Sequence, residues 1–248
     1  MTELVVEDRG AVRILALNRP EKHNALNEAL IAALMAGLDE AELSASVNAV
    51  VLTGNGKSFC AGADTKELAS SAAADPRTVL RRADLTVSLH LAFSRMSKPV
   101  ISAVRGNALG AGAGLALACD MMVMADNARF GYPELKHGIV AALVLANLVR
   151  QLGQKNAFEL VAMGDAIDGH RALALGITNR VTAESQVLDT ALEIATRLAG
   201  WEPAAMATTK RAFYRATELS LESALGAGRD ANLIMRGFRN PAKPDAAK

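Results

Sequence analysis

Apolar positions along this chain fall into short runs separated by polar or glycine-bearing breaks. The repeat within the runs switches between two and about 3.6 residues. Leu4–Glu7 and Val12–Leu17 read as strands around Asp8-Arg9-Gly10, a hairpin. After the polar loop Arg19–Asn24, Asn27 stands where a helix cap belongs, ahead of the stripe Leu30, Ile31, Leu34, Met35 and Leu38. Ala49–Thr53 is a buried strand closed by Gly54-Asn55-Gly56. A helix from Arg77 to Met96 breaks at Ser97-Lys98-Pro99, and Val100–Val104 is the next strand. Gly106–Gly114 is rich in glycine and alanine and opens a helical segment ending near Cys119, with Met121–Ala125 as another strand.

Helical spacing dominates the second half, over Ala141–Leu152, Asn156–Met163, Gly169–Leu175, Val187–Ala199, Pro203–Thr217 and Leu221–Gly237. Ile177–Val181 is a short strand-like run. The polar tail Asn240–Lys248 carries two prolines and is expected to be loose. Alternating strands and helices predict an α/β fold, with the strand-poor last third as an added helical layer.

Composition narrows the function classes. Of 248 residues, 51% are apolar, enough to bury a core and exclude disorder. The 27 basic and 26 acidic residues give a net charge of +1, so no electrostatic footprint for nucleic acid exists. Aromatics are only 4%, which leaves little for base stacking. Cys60 and Cys119 form no CxxC pair and read as small buried hydrophobes. His23, His90, His137 and His170 show no i, i+4 pair, so no metal is expected. The longest uncharged apolar run, Ala108–Cys119, is short of the ~20 residues of a membrane span. Met1–Asp8 lacks the pattern of a secretory leader, and a cytoplasmic location is expected.

Two places could carry chemistry. Phe59–Asp64 and Gly106–Gly112 each follow a strand and place small residues where a helix begins. Backbone N–H groups at such a terminus are unpaired, and small side chains let a ligand oxygen approach them. The N–H groups of Ala63 and Ala111 are the candidate donors of an oxyanion hole. The same residues would equally permit tight strand–helix packing. Gly110-Ala111-Gly112 fails as a dinucleotide fingerprint, which needs glycine where Leu115 stands. No G-x-S-x-G elbow exists for a serine hydrolase. Pro133 suits the first position of a helix and puts Glu134 in its first turn, either as a general base or as a carboxylate complementing the helix dipole. His137, one turn on, is either its partner or a surface residue. Arg81-Arg82 reads as a solvated face.

Taken in order, Asn18-Arg19-Pro20, Asn24-Ala25-Leu26, Val51-Leu52-Thr53-Gly54, Phe59–Asp64, Lys98–Ile101 with Gly106, Ala108–Gly112, Cys119-Asp120 and Phe130–Glu134 resemble the enoyl-CoA hydratase/isomerase (crotonase) family. The resemblance implies a ClpP/crotonase-like spiral of ββα units over residues 1–190. A helical C-terminal region, 191–248, would build a homotrimer or homohexamer. It implies an acyl-CoA substrate, coenzyme A entering only as part of it, with no separate cofactor. The thioester oxygen would sit between the Ala63 and Ala111 N–H groups, with Glu134 as catalytic acid–base. Substrate contacts would fall at Lys22, His23, Ala25, Ala61, Asp64, Thr65 and Gly110. Pocket walls would come from Glu67–Leu91 and Val140–Val144. Typical hydratases carry a further glutamate at the position of Gly114, which has no side chain. The expected reaction is addition of water to a 2-enoyl-CoA. Double-bond isomerisation, or acyl-CoA binding without catalysis, are the alternatives.

Overall fold

The computed structural model describes residues 2–67 and 75–236. Strand β1 (Leu4–Arg9) pairs antiparallel with β2 (Val12–Leu17), Arg9 facing Val12. The turn is therefore Gly10-Ala11, with Gly10 at φ +60°, one residue later than the hairpin expected from sequence. β3 (Ala49–Gly54), parallel to β2, is buried at every position, and β2 is apolar apart from Arg13, as inner strands of a sheet require. With β4 (Val100–Val104), β6 (Met121–Ala125) and β8 (Arg180–Thr182) they complete a six-stranded sheet ordered β1-β2-β3-β4-β6-β8. Helix α1 (Glu28–Leu43) makes the first crossover. Its cap is Asn27, whose side chain accepts from the Leu30 N–H at 2.8 Å.

After β3, β4 and β6 the chain adds a second, short extended piece before each helix. Cys60 bridges Ala108 in β5 (Asn107–Leu109), and β5 pairs in parallel with β7 (Arg129–Gly131). The helices that follow are α2 (Pro76–Arg95), α3 (Ala111–Ala118) and α4 (Leu145–Met163). This is the repeating ββα turn of the expected spiral. Strands β5 and β7 are three residues each, too short to register as a period-two pattern. The segment α4 is two helices, as expected, divided at Gly153, whose φ +71° and ψ 172° are not helical; the first begins at Leu145, and Ala141–Val144 are not helical.

Helix α5 (Gly169–Ala174) precedes β8, and α6 (Val187–Ala199) lies across β3, β4 and β6, burying Val187, Ala191, Ala195 and Ala199. Residues 190 and 191, on either side of the expected boundary, lie inside α6, and α7 (Pro203–Ala216) and α8 (Leu221–Arg236) follow it. The tail Asn240–Lys248 lies outside the described residues.

A buried charge pins α7 to the core. Lys210 Nζ sits 2.6 Å from Asp120 Oδ2 and 2.8 Å from the Lys98 carbonyl, while Asp120 Oδ1 accepts from the Tyr214 hydroxyl at 2.8 Å. Removing one partner of a buried pair strands the other charge. Lys210→Met is expected to lower unfolding free energy by ~3 kcal/mol. Urea titration checks this, and a loss below half that figure contradicts it.

Candidate active site

The two small-residue loops are stitched together. Cys60 N–H donates to the Asn107 carbonyl at 2.9 Å, and Leu109 N–H to the Cys60 carbonyl at 3.0 Å. The fit tolerates no side chain: a Cβ on Gly112 would lie 2.2 Å from the Cys60 carbonyl oxygen, and one on Gly62 would lie 2.9 Å from the Leu109 carbonyl oxygen. Gly62, the residue before Ala63, adjoins Ala111: its Cβ position lies 3.6 Å from the Ala111 nitrogen. Ala111 is the first residue of α3, and neither its N–H nor that of Ala63 donates to an oxygen of the described residues. Free donors on two adjoining loops, one of them at a helix N-terminus, suit a negatively charged oxygen.

Glu134 reaches Gly110, the residue before Ala111. It opens a four-residue 3-10 helix, Glu134–His137, rather than an α-helix, and Pro133 occupies the cap position, not the first helical one. Strand β7 sets its height: Gly110 N–H donates to the Gly131 carbonyl at 2.8 Å. A Cβ on Gly110 would lie 2.9 Å from Glu134 Oε1, so the carboxylate rests directly on the residue preceding Ala111. Burial raises the Glu134 pKa above the usual carboxylate range, opposed by its own backbone hydrogen bond and by the His137 charge. His137 is exposed and makes no hydrogen bond to Glu134 among the described residues. Glu134 Oε2 and the neighbouring Tyr132 hydroxyl are buried with no hydrogen-bond partner among the described residues.

Gly110 itself adopts φ +54°, ψ −122°, a conformation that only glycine holds without strain. Gly110→Ala adds that strain and a methyl against Glu134 Oε1. It is expected to lower both turnover and the melting temperature, by ~1–3 kcal/mol for the backbone alone. Retained turnover would mean that Glu134 does not need its present seat.

The expected substrate-contact residues surround the same loops with different freedoms. Lys22 is exposed at the end of a short 3-10 turn. His23 (φ +49°) is also exposed, its Nδ1 3.0 Å from Ser58 Oγ. Ala61 is exposed and its N–H donates to the His23 carbonyl at 2.9 Å. Thr65 is exposed in a helical turn that starts there. The Ala25 carbonyl is held by Arg19 Nη1 at 2.5 Å. The Asp64 carboxylate is committed to Arg19 at 3.0 Å and to the Lys66 and Glu67 N–H groups, which lower its pKa against the opposing effect of burial, and its own N–H donates to the Leu26 carbonyl at 3.0 Å. Gly110 offers no side chain and is covered by Glu134. Arg82, expected on a solvated face, is buried, paired with Glu67 and donating to the Leu26 carbonyl at 3.2 Å. Arg81 is exposed and pairs with Glu28. Both cysteines are buried hydrophobes, and burial pushes the Cys60 thiol up to about 12.

Of the expected pocket walls, residues 68–74 lie outside the described residues, while His90 and Val144 close over Gly114. A Cβ there would lie 2.9 Å from His90 Cε1 and 2.4 Å from Val144 Cγ1. No helix of the described residues is long and apolar enough to cross a membrane.

Comparison with known proteins agrees with this architecture. Residues 7–234 match the enoyl-CoA hydratase/isomerase family. The chain is 37% identical to the 2,3-dehydroadipyl-CoA hydratase of Escherichia coli K12, covering 91% of this chain and 87% of that protein. It is 34% identical to the short-chain-enoyl-CoA hydratase of Clostridium acetobutylicum, over 91% and 86%. The crystal structure of a Mycobacterium smegmatis enoyl-CoA hydratase superposes with a TM-score of 0.90 at 33% identity, covering 97% of this chain and 92% of that one. This chain belongs to the enoyl-CoA hydratase/isomerase family.

Proposed function

We propose that this protein hydrates a 2-enoyl-CoA thioester, with Glu134 as the acid–base group and the Ala63 and Ala111 N–H groups as the oxyanion hole. The observation that carries the reading is the contact of the Glu134 carboxylate with Gly110, immediately before the free N–H of Ala111. The thioester carbonyl oxygen accepts from both amides, which favours charge flowing onto it from the C2=C3 bond. Water bonds to C3, its proton passes to Glu134, and C2 takes a proton from that carboxyl or from solvent. Coenzyme A is part of the substrate, its thioester end lying against the Ala61–Thr65 segment and the rest near Lys22 and His23.

A single carboxylate also suits isomerisation, because a double-bond shift needs one base and no water. The apolar stretch Ile139–Leu143 favours that alternative. Separate incubation with 2-enoyl-CoA and 3-enoyl-CoA distinguishes them. Hydration gives a product heavier by one water from the first; isomerisation gives a shifted alkene from the second without mass change. Tight binding with neither conversion would select the inactive acyl-CoA-binding alternative. Exposed Phe158, Met163, Phe213, Leu225, Leu233 and Ile234 on α4, α7 and α8 support assembly into a homotrimer, with the homohexamer as its doubled form. Light scattering after size exclusion reads the mass.

A further inference from the structure

Gly110 and Gly114 stand one helical turn apart at the start of α3, on one face and ~6 Å from each other. Each is covered by a polar side chain from another element. Glu134 Oε1 covers Gly110 and the His90 ring, from α2, covers Gly114. Both covering groups keep a buried polar atom with no hydrogen-bond partner among the described residues, Glu134 Oε2 and His90 Nε2. A leucine or methionine would fill the volume at Gly114 equally well. An imidazole nitrogen buried without a partner is destabilising, and a ligand hydrogen bond would remove that cost.

We infer that His90 is the second water-holding residue of this site, hydrogen-bonding through Nε2 the water that Glu134 activates. The inference rests on the hydration reading above. Burial drives the imidazole pKa down to about 4, so the ring is neutral and able to bond a water without competing for the thioester's charge. In the reaction the water oxygen bonds to C3 and the C2=C3 electron pair moves toward the thioester oxygen. Glu134 takes the water's proton and C2 is then protonated. His90 ends with the protons it started with, so its contribution is placement of the water. Val144, 2.4 Å from the same Cβ position, closes the apolar side of that place.

The test compares wild type, His90→Phe, His90→Gln and Glu134→Gln in two assays. One is hydration of crotonyl-CoA. The other is exchange of the α-protons of butyryl-CoA in D2O, which uses the base and the oxyanion hole but no attacking water. His90→Phe is expected to lose ~10²-fold in hydration, the scale of a misplaced reactant, while exchange stays within about threefold. His90→Gln, which can still hydrogen-bond, is expected to recover about tenfold over phenylalanine. Unchanged hydration in His90→Phe overturns the inference. So does a parallel loss of both activities in the two His90 variants, which would mark the ring as packing only. If the phenylalanine variant does not fold, the glutamine variant carries the same comparison. Failure of the underlying reading has a different signature: a wild type that hydrates nothing, or a Glu134→Gln protein with full hydration.

Discussion

Glu134→Gln is expected to lower the kcat of enoyl-CoA hydration by ~10³-fold, inside the range general acid–base groups contribute, with acyl-CoA Kd within about threefold of wild type. Glutamine keeps the shape over Gly110 but cannot take a proton. Stopped-flow hydration and calorimetric binding read the two halves, and unchanged turnover would remove Glu134 from the chemistry. Two linked results follow from its environment. The carboxylate must be ionised to accept the water's proton, and burial raises its pKa, so the acidic limb of kcat/KM is expected above the ordinary glutamate range. The sign for stability runs the other way. A carboxyl whose folded pKa exceeds its unfolded value binds more protons when folded, so it stabilises least once pH has risen through the folded pKa. Glu134→Gln is therefore expected to raise the melting temperature at neutral pH while losing activity, as in other sites where function costs stability.

Ala111→Pro is expected to lower kcat by ~10²–10³-fold, the effect of removing one oxyanion donor. The substitution removes a single hydrogen-bond donor. Proline lacks the N–H, yet position 111 is the first residue of α3, where proline is well tolerated and no intrahelical bond is lost. The ring carbon also projects to where the carbonyl oxygen would sit, so KM for enoyl-CoA should rise as well. Circular dichroism should show the fold retained. Full activity in a folded Ala111→Pro protein would show that the oxyanion is stabilised elsewhere. Ala63 has no equally clean variant, because the neighbouring bridge uses Leu26 N–H on the Gly62 carbonyl and Asp64 N–H on the Leu26 carbonyl.

Several parts of this arrangement were legible in the residues alone. The both-face apolarity of Val50, Val51 and Leu52 marks a central strand, and Asn27 caps α1 as its position before the stripe implies. Gly110 and Gly112 signal close backbone approach, which the Cys60 carbonyl and the Glu134 carboxylate supply. What escaped was set by contacts between distant segments. Strands β5 and β7 are defined by their mutual pairing, not by a repeat of their own. Ala141–Val144 carries helical spacing, but its apolar side chains lead to Val144 packed over Gly114, so tertiary packing overrides the local pattern. Arg82 looks like its neighbour Arg81 in sequence, and its burial comes with contacts to distant segments, the Glu67 carboxylate and the Leu26 carbonyl. His90 shows no motif at all: its interest comes from the glycine it covers and the nitrogen it leaves unpaired. Tyr132 is a missed neighbour of the same kind, its hydroxyl buried beside Glu134 without a hydrogen-bond partner among the described residues.

A crystal structure with acetoacetyl-CoA, a thioester that cannot be hydrated, tests the central claim most directly. The thioester carbonyl oxygen is expected about 2.7–3.1 Å from both the Ala63 and Ala111 nitrogens. The Glu134 carboxylate is expected against C2 and C3 of the acyl group. A carbonyl bound away from either amide, or a Glu134 side chain turned from those carbons, would contradict it.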